Sequence, residues 1–355
     1  MRKLLLVAVT LLVVHAALLF AGGRGVTQIS KPGALNVGIV LDVGGRGDKS
    51  FNDGAYAGAD SAARILGPAI RFIEPGEGSD REAGLRLLAA EKMDLVIGVG
   101  FIFSDDITKL AKEYPNTPFA CVDYALAVDD KGNVLPPPPN VAALKFREEE
   151  GSFLVGALAA LVGKSKKVGF VGGMDIPLIH KFEAGYRAGV KQVCPDCEVI
   201  AQYAGVTPDA FKNPGKGKEL ALAQIAKGAD VIFTAAGNSG LGAFDAVEAA
   251  GTDARGRATH FVIGVDSNQD MIKPGFVLTS MVKRVHNAVY QIVSDVAAGK
   301  FHGGLHVFGL DTDGVGYTVD DDNRGLLTTD ALAAAETAKR EIIDGEIKVT
   351  DAMGQ

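Results

Sequence analysis

The chain has 355 residues, 47% of them hydrophobic and 22% charged, a balance that excludes a disordered protein and allows two domains of ordinary size, each with its own core. A net charge of -7 with scattered Lys and Arg excludes nucleic acid as the main partner, because phosphates are neutralised by clustered cations.

Arg2 and Lys3 precede an apolar run from Leu4 to Phe20, followed by Ala21, Gly22 and Gly23. Residues 1–22 therefore read as a signal peptide or N-terminal anchor of an exported protein. A lipid tether would need a cysteine at the end of this leader, and the first cysteine is Cys121, so a periplasmic or cell-surface, membrane-associated protein without a lipid anchor is expected.

Beyond the leader, short apolar runs alternate with amphipathic stretches. Strands are expected at "LNVGIVL" (from Leu35), "AIRFI" (Ala69), "DLVIGVG" (Asp94), "PFACVD" (Pro118) and "VAALKF" (Val141). The series continues with "KVGFVGG" (Lys167), "EVIAQYAG" (Glu198), "DVIFTAA" (Asp230), "HFVIGVD" (His260) and "FVLTSMV" (Phe276). Near-continuous apolar runs suit parallel strands buried on both faces. Between them, Ser79 with Glu82 spells a capping box, and Ser104 opens a helix with Asp105 and Asp106 in its first turn. This alternation implies right-handed βαβ units in an α/β fold, with too many strands for one open sheet. The proline-rich loop at 129–140 breaks the alternation, and a helix near Glu149 opens the second half. The stretch 311–325 reads as a loop and strand closing the second lobe.

Two such lobes create a cleft at the carboxyl ends of their strands, where ligands of open α/β sheets bind. Asp42, Asp123, Asp266, Lys283 and the "AAGNSGLGAF" turn all stand at those positions. The loop "DVGGRGDKSFND" lacks G-x-x-x-x-G-K-[ST] and G-x-G-x-x-G, so it is not a phosphate cradle. Its separated Asp42 and Asp48 make neither a calcium loop nor the acid cluster of a metal-dependent hydrolase. What remains is a binding loop in which Ser50 caps the next helix and Phe51 faces either core or cleft. Cys194 and Cys197 allow a local disulfide, while a zinc site would need further ligands at suitable spacing. Cys121 reads as a small core residue.

Four segments together resemble one family: "VLDVGGRGDKSFNDGAYAGA", "GGMDIPLIHKFEAGYRAGV", "TAAGNSGLGAFDA" and "FVIGVDSNQ". They look like the BMP/PnrA solute-binding proteins of ABC importers that take up purine nucleosides, over nearly the whole mature chain. The resemblance implies a type I periplasmic-binding-protein fold with two Rossmann-like lobes joined by three crossings. It sets lobe 1 at 34–145 plus about 276–305 and lobe 2 at 146–275 plus about 306–355. It also implies that Phe51 and Phe182 sandwich a purine, that Asn52 and Asp123 address the base edge, and that Asp42, Gly237, Asp266 and Lys283 address the sugar.

The expected protein is a monomeric, non-enzymatic carrier for guanosine, inosine or adenosine that works with an ABC permease and ATPase, without cofactor or metal. The alternatives are a nucleoside hydrolase-like enzyme or a ligand sensor on the same fold.

Overall fold

The computed structural model describes residues 35–75 and 80–352. The leader, Ser79 of the expected capping box and the last three residues lie outside them. In chain order the elements of the first half are β1 (Asn36–Val40), α1 (Phe51–Leu66), β2 (Ala69–Ile73), α2 (Asp80–Ala90), β3 (Leu95–Val99), α3 (Ser104–Glu113), β4 (Phe119–Val122) and β5 (Val141–Phe146). The second half continues with α4 (Glu148–Val162), β6 (Lys167–Met174), α5 (Pro177–Val193), β7 (Glu198–Gly205), α6 (Pro214–Ala226), β8 (Val231–Ala235), α7 (Leu241–Ala250), β9 (Phe261–Asp266) and β10 (Val277–Lys283). The chain closes with α8 (Val285–Ala297), β11 (Gly304–Phe308), β12 (Val315–Tyr317) and α9 (Thr329–Ile343).

Every apolar run read as a strand forms one. They fall into two six-stranded sheets, ordered β11-β5-β4-β3-β1-β2 and β12-β10-β9-β8-β6-β7. All described pairings are parallel except β10 with β12. The two orders match position for position, so β1 corresponds to β6, β3 to β8, β4 to β9 and β5 to β10. Each half is thus the same doubly wound unit, and equivalent strand ends face one another across the cleft.

One lobe boundary differs from expectation. The segment from 276 was assigned to the first lobe, but β10 pairs with β9 in the second sheet, Met281 opposite Val265. The crossing comes after Lys283, and α8 with β11 then returns to the first lobe. An apolar strand pattern states that a strand is buried without stating beside which partner. β11 had no strand signal because it is an edge: Leu305 and Val307 are exposed, so no continuous apolar run marks it.

Close helix pairing closes each lobe. A Cβ at Gly58 of α1 would lie 2.3 Å from the His286 carbonyl of α8. Between α4 and α5, Cβ atoms at Gly156, Gly185 and Gly189 would come within 2.2, 2.1 and 1.9 Å of carbonyls on the facing helix. Backbone contact this intimate leaves no room for a side chain, and it wedges α4 so deeply that its residues from Gly151 to Ala159 are all buried. Cys194 and Cys197 are disulfide-bonded in the turn between α5 and β7, and Cys121 is buried in the first lobe.

Candidate functional site

The loop after β1 is a rigid frame built on Asp48. Its Oδ1 accepts from the backbone N–H groups of Ser50 (3.0 Å) and Asp53 (3.1 Å), and its Oδ2 from the Asn52 N–H (2.8 Å) and Nδ2 (3.1 Å). Asp48 therefore satisfies the orphan donors of α1, a task the sequence assigned to Ser50. The Ser50 hydroxyl instead reaches across the cleft, donating to Asp266 Oδ2 at 2.6 Å and the Val265 carbonyl at 3.1 Å. Asn52 Oδ1 accepts the Asp42 N–H at 2.8 Å, so the amide ties loop to strand and retains one hydrogen and one lone pair for other partners.

Asp123 and Asp266 occupy equivalent ends of β4 and β9, and both adopt left-handed backbone, with φ of 61° and 64°. Such geometry is uncommon outside glycine and tolerated by Asp. Here it turns each carboxylate back toward the gap between the sheets. Gly100 follows β3 at φ 117°, and a Cβ there would sit 2.5 Å from Asp42 Oδ2, so glycine keeps that carboxylate in place.

Lys283, at the end of β10, gathers charge from both lobes. Its Nζ lies 2.6 and 2.7 Å from the two Asp123 oxygens and 2.9 Å from Glu148 Oε1. Among the ion pairs of Lys283, the one across the cleft is to Asp123 rather than to Asp266. Glu148 Oε2 continues the chain to Lys181 Nζ at 2.9 Å, which also meets Glu149 (3.3 Å) and the Phe146 carbonyl (2.7 Å). Burial pushes Glu148 up, but Lys283 and Lys181 together hold it at about 2. Burial opposes the charge of Lys283, yet Asp123, Glu148 and Asp266 hold its pKa above the ordinary lysine range. Asp42 and Asp266 are compensated less than Glu148. Burial pushes both up to about 7, with the Val43 N–H easing Asp42, and Lys283 and Ser50 easing Asp266.

The Lys283 ammonium also stands 5.2, 5.7 and 5.0 Å from the ring centres of Phe51, Phe182 and Phe146. Phe51, the first residue of α1, comes from the first lobe, and Phe182, on α5, from the second. Phe182 is only 3% exposed and meets Phe233 at 6.4 Å, so it is a core residue and a cleft wall at once.

Asp42, Phe51, Asn52, Asp123, Phe182, Gly237, Asp266 and Lys283, the full set singled out from sequence, all line one cavity of about 580 Å3. Phe101, Leu178, Ile179, Phe211 and Asn238 line it too. Phe101 is the second residue after β3, so the strand-end rule that found the aspartates could have found it. Phe211 had no local signal: it sits in a short turn after β7, its ring 2.3 Å from where a Cβ at Gly173 would be. The cavity offers flat apolar walls, two poorly compensated carboxylates and one caged ammonium. Among the described residues, no group of three or more His, Cys, Asp or Glu could hold a metal ion.

The family model described as ABC transporter substrate-binding protein PnrA-like matches residues 35–352. The CD4+ T-cell-stimulating antigen of Listeria monocytogenes is 35% identical, over 89% of this chain and 88% of its own. The ABC transporter nucleoside-binding protein BmpA of Lactococcus lactis is 33% identical, over 89% of each. A solved ABC transporter solute-binding protein of Aeropyrum pernix superposes with a TM-score of 0.78 at 33% identity, over 88% of this chain and 92% of that one. The fold is that of type I periplasmic binding proteins, and with a family match over residues 35–352, this chain belongs to the Bmp family of PnrA-like ABC transporter substrate-binding proteins.

Proposed function

We propose that the protein is exported and captures a purine nucleoside by closing its two lobes around it, then delivers the ligand as a monomer to a membrane permease powered by an ATPase. The observation that carries this reading is that Phe51 and Phe182, one from each lobe, line a single cleft that also holds Asp42, Asp123 and Asp266. A purine has polarisable, poorly hydrated faces, and stacking between two rings contributes roughly 0.5–1.5 kcal/mol per pair beyond area burial. The polar groups supply orientation. Asp123 and the remaining capacity of Asn52 meet the base edge, while Asp42, Gly237, Asp266 and Lys283 meet the sugar.

The two aspartates raised toward neutrality support the reading of a ligand rich in hydroxyls. Each accepts a hydroxyl hydrogen bond that replaces lost hydration, and a ligand without that hydroxyl leaves a buried carboxylate unmet. Closure is read from the bonds between lobes: Ser50 to Asp266, the Ser267 hydroxyl to the Ser50 carbonyl at 2.8 Å, and Gln269 Nε2 to the Lys49 carbonyl at 3.0 Å. A ligand that touches both lobes adds its contacts only in this closed arrangement and so shifts the population toward it.

Calorimetry with guanosine, inosine, adenosine, their 2′-deoxy and 3′-deoxy analogues, the free bases and ribose tests the reading. Nucleosides are expected to bind, and the deoxy analogues to bind more weakly. Binding of ribose with no purine compound would overturn it. A hydrolase on the same fold is separated by incubating the protein with inosine, where release of hypoxanthine would contradict a carrier.

A further inference from the structure

Strand order fixes what lies beside the main cleft. In the first sheet the cleft takes Asp42 from the end of β1, Gly100 and Phe101 from β3, and Asp123 from β4. The next strand in the sheet is β5, and near its end, beside the main cleft, lies a second chamber that is partly open to solvent. Phe101, Asp123 and Leu178 line both spaces, so they form the partition.

The walls of the second chamber are apolar. Tyr124, Ala125 and Phe146 come from the first lobe, Ile176 and Pro177 from the start of α5 in the second. Its polar residues are already committed to one another. Lys181 holds Glu148, Glu149 and the Phe146 carbonyl; Glu148 also holds Lys283; the Tyr124 hydroxyl meets Thr108; and Lys145 is likewise partnered. A charged or polar group entering here would have to break buried ion pairs, which is strongly unfavourable. A hydrocarbon or aromatic group would only exchange water for apolar walls.

We propose that this chamber is a subsite for an apolar substituent carried on the end of the ligand that lies over β4, beside Asp123. The inference rests on the reading of the cleft as a purine nucleoside site, with Asp123 at the base edge. The substituent is then a hydrocarbon or aromatic group on the base. A group on the sugar side that meets Asp42 lies over β1, farther across the sheet from the chamber.

Calorimetry with adenosine, N6-benzyladenosine and 5′-O-benzyladenosine tests this on the wild type and on two variants that fill the chamber, Ala125→Trp and Ile176→Trp. Neither residue lines the main cleft, and Ala125 is exposed. Wild type is expected to bind N6-benzyladenosine about tenfold more tightly than adenosine, and 5′-O-benzyladenosine at least about tenfold more weakly. Both variants are expected to keep adenosine affinity within about twofold and to lose the gain from the N6-benzyl group. If wild type binds adenosine but binds N6-benzyladenosine more weakly, the subsite is refuted while the nucleoside reading stands. An N6-benzyl gain that survives both variants also refutes it, because the group is then leaving through solvent. Failure of wild type to bind any nucleoside removes the functional reading and the subsite with it.

Discussion

Removing the Phe182 ring perturbs binding and stability by separate amounts, and both follow from its position. The ring faces the cleft on one side and Phe233 on the other, at 3% exposure. Loss of one stacked pair costs about 0.5–1.5 kcal/mol. At 3% exposure the ring has only about 6 Å2 left to bury against the ligand, which adds about 0.2 kcal/mol at 25 cal/mol/Å2. Phe182→Ala should therefore weaken nucleoside binding by about 0.7–1.7 kcal/mol, roughly three- to twentyfold. Because the ring also packs in the core, the same change should cost about 3 kcal/mol of stability, the low end for Phe→Ala since one side already opens on the cleft. Phe182→Leu separates the two effects: it restores most of the packing but not the aromatic face. Calorimetry well below the melting temperature, with urea unfolding in parallel, reads both quantities. Affinity unchanged within about twofold in a folded Phe182→Ala protein would show that this ring does not grip the ligand.

Four further outcomes follow from the charged groups and the disulfide. Asp42 and Asp266 keep protons in the folded state that the unfolded chain, at 3.8, has lost, so ligand-free stability should fall as pH rises from 3.8 through about 7. Asp42→Asn and Asp266→Asn should each flatten that slope in thermal melts. Hydroxyl donors from a ligand favour the ionised carboxylates, so nucleoside affinity should rise over the same interval with proton release, detected by calorimetry in buffers of different ionisation enthalpy. Lys283→Met removes the cation shared by Asp123 and Glu148 and should cost about 3–5 kcal/mol in urea unfolding; a loss under about 1 kcal/mol would show that the pair is not buried as described. Reduction of Cys194–Cys197, which closes a very short loop, should lower stability by no more than about 2 kcal/mol and leave nucleoside affinity unchanged.

Much of the architecture is legible in the chain because burial on both faces writes itself as continuous apolar runs, and those runs became β1 to β10. The residues placed just after them, Asp42, Asp123, Asp266 and Lys283, converge because parallel sheets send all their carboxyl ends to one edge. The motif around Phe51 and that around Phe182 identify the family before any coordinate is known.

What only the tertiary structure decided is who meets whom. Lys283 pairs with Asp123 and Glu148 rather than Asp266, and Ser50 spends its hydroxyl across the cleft while Asp48 caps the helix. The strand β10 joins the second sheet, and Phe211 enters the cleft from a turn without a signal. These are choices among chemically similar partners brought together from distant parts of the chain. Local pattern encodes a residue's burial and backbone preference, whereas the identity of its neighbour is fixed only when two sheets close on each other and burial makes every charge find a partner.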